Sequence, residues 1–267
     1  MNNIHIQFLK DLQSKLPKDS CYSGKIAEHL YGISTINFLE SAHIANLYDF
    51  FINRKRIKNP LTKKIEISRM GYKKNEYFRG IKCHVHKRLT HNVISDIRVV
   101  TPEFLYAETI RSLDLPDKIR YGVRLTGYTT LRFNEQLGLK PILDANSRIP
   151  YKTNKVAQRV LGKFASPPEL QLFIMLIERG LPLPLVNEKI ALPPKFPRNS
   201  IIPDFYWPAH NLVVEYQGKD YHSDQDSLND DTTKINIYAE LGLTVIQLTK
   251  DNVHRLPQIL QANFFAN

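Results

Sequence analysis

The chain has 267 residues, of which 42% are hydrophobic and 24% charged, the balance of a globular protein with room for one large or two ordinary domains. No apolar run reaches the roughly 18 residues that a bilayer span needs, and the first twenty residues lack the apolar core of a signal peptide. Two cysteines, Cys21 and Cys83, make neither a disulfide framework nor a metal cluster, so a reducing, cytoplasmic location is expected.

The net charge of +11 is unevenly placed. Residues 1–150 hold 25 Lys/Arg against 14 Asp/Glu, whereas residues 151–267 hold 12 of each. The excess concentrates in 54–88, "RKRIKNPLTKKIEISRMGYKKNEYFRGIKCHVHKR", with 13 basic residues and only Glu66 and Glu76 to oppose them. Arg54, Lys55, Arg56, Lys58, Lys63, Lys64, Arg69, Lys73, Lys74 and Arg79, interleaved with Tyr72, Tyr77 and Phe78, suit a phosphate backbone. Each neutralised phosphate releases condensed counterions, which favours binding. A solvated positive surface is the plainer reading. An anionic membrane fits less well, because the stretch shows no amphipathic helical period.

Along the chain, "HIQFLKDLQSKL" spaces Ile6, Leu9, Leu12 and Leu16 as a helix would. "SGKIAEHLYGI" predicts a helix capped by Ser23, and "INFLESAHIANLYDFF" continues the helical pattern. Strands are predicted around 64–68 and 80–87, where "IKCHVH" alternates. Helices followed by strands, all basic, fit a winged-helix-like α+β module. His84 and His86 share one face of their strand beside Cys83, but no fourth ligand accompanies them. Thr101-Pro102-Glu103 opens a helix that reads as a connector, and a domain boundary is expected near 150.

The second half has a clearer pattern. "YKTNKVAQRVLGKFA" is a helix-like link. "SPPELQLFIMLIERG" is a buried helix between a Ser166 cap and Gly180. "NEKIAL", "PDFYW", "LVVEYQ" and "LTVIQLT" read as strands. "DSLNDDTTKINIYAELG" and "RLPQILQANFF" read as helices. The order implies an α/β fold around one mixed sheet.

The chemistry concentrates in the hairpin. If "PAHN" (208–211) is a four-residue loop, Trp207 faces Leu212 and Asp204 faces Glu215. Directly opposed side chains have Cβ atoms roughly 4.5–5.5 Å apart, so two carboxylates there repel. Such a pair requires either a proton on one member or a cation between them. Mg²⁺ takes oxygen ligands, often one or two carboxylates with waters and a substrate phosphate. Glu169 starts the buried helix on the face of Leu172, Phe173 and Leu176, and is drawn toward the sheet edge. An acid at a helix start also has a purely structural use.

"IIPDFYW…LVVEYQGKDYH" resembles the PD-(D/E)xK nuclease core, in particular the Vsr-like endonuclease domains, over about residues 165–255. The positions that carry the resemblance are Glu169, Pro203-Asp204, Glu215-Tyr216-Gln217-Gly218, His222, Asp231 with Lys234, and Gly242 before a strand. More loosely, "GIKCHVHKRL…IRVVTPEFLYAETI" is similar to the N-terminal region of AbiEi-type antitoxin-like proteins.

The nuclease resemblance implies a restriction-endonuclease-like mixed sheet flanked by helices in 151–267, and Mg²⁺- or Mn²⁺-dependent hydrolysis of DNA. Asp204 and Glu215 would hold the metal, and Glu169 would be a further ligand, direct or through water. His222 would lie at the site and assist proton transfer. The family's usual Lys is replaced by Gln217, which can hold a water but is neither a base nor a cation. Three readings follow: Gln217 positions the water, Lys219 or Lys234 supplies the charge, or the site serves binding alone. The implied partner is DNA, double-stranded, with no membrane role and with a homodimer open to it. The rival readings are a non-catalytic, antitoxin-like DNA-binding regulator and a nuclease acting on RNA.

Overall fold

The computed structural model describes residues 3–17, 19–32, 65–70, 76–78, 81–86, 89–127, 152–217 and 225–265. It is of the α/β class, and it divides into two compact units. One is Met1–Leu113 with Lys140–Pro150; the other is Asp114–Leu139 with Tyr151–Asn267. Helix Leu115–Thr126, read from sequence as part of the connector, falls in the second unit, where it packs on the two helices that follow it.

In the first unit the described elements are α1 (Asn3–Gln13), β1 (Cys21–Ser23), α2 (Gly24–Leu30), β2 (Glu66–Met70), β3 (Glu76–Phe78), β4 (Ile81–His86), β5 (His91–Ile94), β6 (Ile97–Val100) and α3 (Pro102–Thr109). Strands β2 and β4 lie where the alternation placed them. They belong to a six-stranded sheet, ordered β3-β4-β2-β1-β6-β5, in which β1, β3, β5 and β6 have no strong sequence signal. Strand β1 runs parallel to β6 and antiparallel to β2.

Tyr22, Ile67, Cys83, Ile97 and Val99 are fully buried, with Phe8, Leu9 and Leu12 of α1. The Tyr22 hydroxyl donates to the Leu9 carbonyl at 2.8 Å. Ser95 and Asp96, both at positive φ, join β5 to β6 in a two-residue hairpin whose left-handed turn matches the strand twist. Helix α2 starts after Ser23 as expected, yet the Ser23 side chain makes no cap bond. The helix expected at "INFLESAHIANLYDFF" lies outside the described residues.

The second unit contains α4 (Leu115–Thr126), α5 (Lys152–Val160), α6 (Pro167–Glu178), β7 (Leu185–Val186), β8 (Ile190–Ala191), β9 (Ser200–Ile201), β10 (Phe205–Trp207), β11 (Leu212–Tyr216), α7 (Gln225–Glu240), β12 (Thr244–Leu248) and α8 (Leu256–Phe265). Four strands form a mixed sheet, β12-β11-β10-β7, with β10 antiparallel to both neighbours and β11 parallel to β12. "NEKIAL", expected as one strand, contributes only β8, which pairs with β9 in a separate ribbon.

Leu212, Val213 and Val214 are buried in succession, as in a strand covered on both faces. On one face Val213 packs with Leu192, Phe196, Ile201, Ile237 and Tyr238. Helix α6 starts at Ser166, Pro167 and Pro168 and ends at Gly180 (φ 65). There Leu181 N–H returns to the Leu176 carbonyl and Gly180 N–H to that of Ile177, the paired bonds of a left-handed cap. Gly242 closes α7 in the same way, its next residue bonding back to Tyr238.

Candidate metal centre

The hairpin has the expected register. Phe205 pairs with Val214, Tyr206 with Val213 and Trp207 with Leu212. Residues Pro208–His210 form one 3-10 turn, and Asn211 (φ 46) turns the chain back into β11. The register carried one step outward sets Asp204 across from Glu215. The Tyr216 N–H donates to Asp204 Oδ2 at 2.7 Å, so the aspartate is tied to the glutamate's own strand.

Asp204 is the electrostatic focus. Burial, the Glu215 carboxylate and the Glu169 carboxylate, in that order, push its pKa from 3.8 to about 7. The Tyr216 N–H and the Lys234 ammonium oppose the rise. The repulsion expected between the two carboxylates is thus met partly by a proton held more tightly on Asp204.

It is also met by a cation from the chain itself. Lys234 and Tyr238, one turn apart on α7, converge on a single oxygen of Glu215. Lys234 Nζ lies 2.7 Å from Glu215 Oε1, and the Tyr238 hydroxyl donates to the same atom at 2.5 Å. Burial and Glu215 hold that hydroxyl well above the ordinary phenol range, so it remains a donor. Of the two lysines expected to supply charge near Gln217, Lys234 is at the carboxylates. Lys219 lies outside the described residues, as does His222. Asp231 sits about one turn before Lys234 on α7. Gln217 follows β11 directly, half-buried, with its N–H donating to the Leu248 carbonyl at 2.7 Å.

Glu169 is only 4% exposed, and three donors hold it. Ala165 N–H and Asn187 Nδ2 donate to Oε2 at 2.9 and 2.7 Å, and Ser166 Oγ donates to Oε1 at 2.7 Å. Glu169 satisfies the start of α6, and its charge is felt at Asp204.

Among the described residues no group of three or more His, Cys, Asp or Glu is gathered as a ready-made metal cage. The donor set suits Mg²⁺ as a two-carboxylate site, Asp204 with Glu215, completed by water and phosphate oxygens.

Two residues of the site had no motif to announce them. Tyr238 could have been found from its one-turn spacing to Lys234. Asn187 has no sequence signal beyond the tolerance of Asn for left-handed backbone.

Arg69 is half-buried on β2. The remaining basic residues, Arg54, Lys55, Arg56, Lys58, Lys63, Lys64, Lys73, Lys74 and Arg79, lie outside the described residues. His84 Nε2 is 3.3 Å from Glu66 Oε2, whereas Cys83 is fully buried on the opposite face of β4. Strand alternation therefore separates the two residues that the sequence placed side by side.

Two Mycobacterium tuberculosis proteins, "Uncharacterized protein MT2308" of strain CDC 1551 / Oshkosh and "Uncharacterized protein Rv2248" of strain H37Rv, are each 28% identical to this chain over 128 residues. The match covers 48% of this chain and 43% of theirs, so the chain spans less than half the length of these curated relatives. No family model and no solved structure matches the chain. Among the described residues no helix is long and apolar enough to cross a membrane.

Proposed function

We propose that the second unit is a metal-dependent DNA endonuclease domain of the PD-(D/E)xK kind, and that the basic stretch 54–88 supplies affinity for the DNA backbone. The observation that carries this reading is the hairpin. It places Asp204 beside Glu215 in a half-buried position where Lys234 and Tyr238 already anchor one oxygen of Glu215. The order α6, β7, β10, β11, α7, β12 around a mixed sheet supports the same reading.

Asp204 and Glu215 would hold Mg²⁺ or Mn²⁺, which when bound lowers the pKa of a water and neutralises charge on the phosphoryl group. Tyr238 and Lys234 fix the Glu215 carboxylate so that its second oxygen remains for that purpose. The Lys234 ammonium also stabilises negative charge that develops on the phosphate, the part that Gln217 cannot play. Gln217 orients the attacking water through its amide, which both donates and accepts. The basic stretch binds phosphates without reading sequence, by counterion release.

The test is cleavage of supercoiled plasmid in Mg²⁺, Mn²⁺ or EDTA by wild type and Asp204→Asn. Nicking that disappears with EDTA and in the variant supports the proposal. A protein that shifts duplex DNA but never nicks it is a DNA-binding regulator instead. Preference for single-stranded RNA over duplex DNA in the same assay would transfer the activity to RNA.

A further inference from the structure

We propose that Asn187 is a positioning residue of the carboxylate site, the tie that holds Glu169 against the strand of Asp204; the proposal rests on the metal reading above. Three bonds meet at this residue. Its Nδ2 donates to Glu169 Oε2 at 2.7 Å and to the Lys163 carbonyl at 2.8 Å. Its backbone N–H donates to the Asp204 carbonyl at 3.0 Å. Both side-chain partners are oxygens that only accept, so the NH2 end of the amide must face them, and the amide orientation follows from the bonds themselves.

The backbone at Asn187 supports the assignment. Its φ of 44° lies in the left-handed region, which costs a non-glycine residue about 1–2 kcal/mol and is best tolerated by Asn and Asp. A strand can end without that conformation. Here it turns the amide toward α6 while the main chain stays paired to Asp204. The segment after α5, the first turn of α6 and the start of β10 are thereby fastened at one residue. If the amide is removed, Glu169 keeps its bonds to Ala165 and Ser166, which belong to the start of its own helix. The helix should then persist while Glu169 loses its fixed relation to Asp204.

The test is Mn²⁺ binding to the full chain, followed by electron paramagnetic resonance at about pH 8 and paired with thermal unfolding in EDTA. Asn187→Gly keeps the left-handed backbone and deletes the amide. It should unfold within about 5 °C of wild type. It should lose about 10- to 100-fold in Mn²⁺ affinity, the usual cost of removing a residue that orients a ligand. Because Asn187 acts through Glu169, the double variant Asn187→Gly/Glu169→Gln should bind no more weakly than Glu169→Gln alone. Should the glycine variant fail to fold, Asn187→Asp retains the backbone preference, replaces the donor by an acceptor, and should show the same loss.

Wild-type affinity in either folded variant, or losses that simply add, would overturn the assignment and leave the metal reading standing. Wild-type protein that takes up no Mn²⁺ would overturn both.

Discussion

Replacing Asp204 by Asn should yield a protein that is more stable above neutral pH and inactive. Burial and the neighbouring carboxylates raise the Asp204 pKa from 3.8 to about 7, and the free-energy equivalent of that displacement is about 4 kcal/mol. The folded-state value is the raised one. Below about pH 4 the group is protonated in both states and has no effect. As the pH climbs, the unfolded chain ionises first, and the relative stability that the proton supplied is lost until about pH 7.

Asn carries no charge at any of these pH values, and its Oδ1 still accepts from the Tyr216 N–H. In EDTA at about pH 8.5 the variant should therefore gain up to about 4 kcal/mol over wild type, on the order of 10 °C in unfolding temperature. At about pH 4 the gain should vanish. Thermal or urea unfolding followed by circular dichroism measures both. Mg²⁺ should raise the stability of wild type at the higher pH and leave the variant unmoved. A variant less stable than wild type at about pH 8.5, or one with the same gain at both pH values, would refute the electrostatic account of the site.

Lys234→Met removes the cation beside Glu215 and should slow cleavage by at least about 100-fold. It should also move the acid limb of the pH–rate profile to higher pH, because Lys234 is one of the groups that favour ionised Asp204. Gln217→Lys should slow the wild-type rate, because the ammonium cannot accept from the water, but restore part of the activity lost in Lys234→Met by returning a cation to the site. Tyr238→Phe leaves Glu215 with Lys234 alone on Oε1 and should cost about 1.5–3 kcal/mol, read as a lower denaturation midpoint. Gly122→Ala, remote from the site, should destabilise by about 1–3 kcal/mol, because its Cβ would lie 2.3 Å from Leu161 Cδ2 between α4 and α5.

The elements legible in the sequence are those whose causes are local. Helix α6 could be bounded because Ser166, its prolines and Gly180 act within one turn of its ends. The hairpin register was legible because a four-residue loop leaves one way to pair Trp207 with Leu212, and alternation then carries Asp204 to Glu215. The six-stranded sheet was not legible. Strands such as β1, three residues long, are held by partners more than forty residues away. Nothing in the composition of Cys21–Ser23 distinguishes it from a loop.

The sequence by itself determined that acids would be opposed at one end of an apolar hairpin and that a glutamine, Gln217, stands two residues after Glu215. It left open what balances those acids, a proton on one member or a cation between them, and whether Lys219 or Lys234 stands in for the charge that Gln217 lacks. Only the tertiary structure decided that Lys234 and Tyr238 share Glu215 Oε1, because that depends on how α7 rotates as it packs on β11. It also decided that Glu169 is held by Ala165, Ser166 and Asn187. That arrangement joins residues from separate elements, and a one-dimensional pattern cannot encode the angle at which those elements meet.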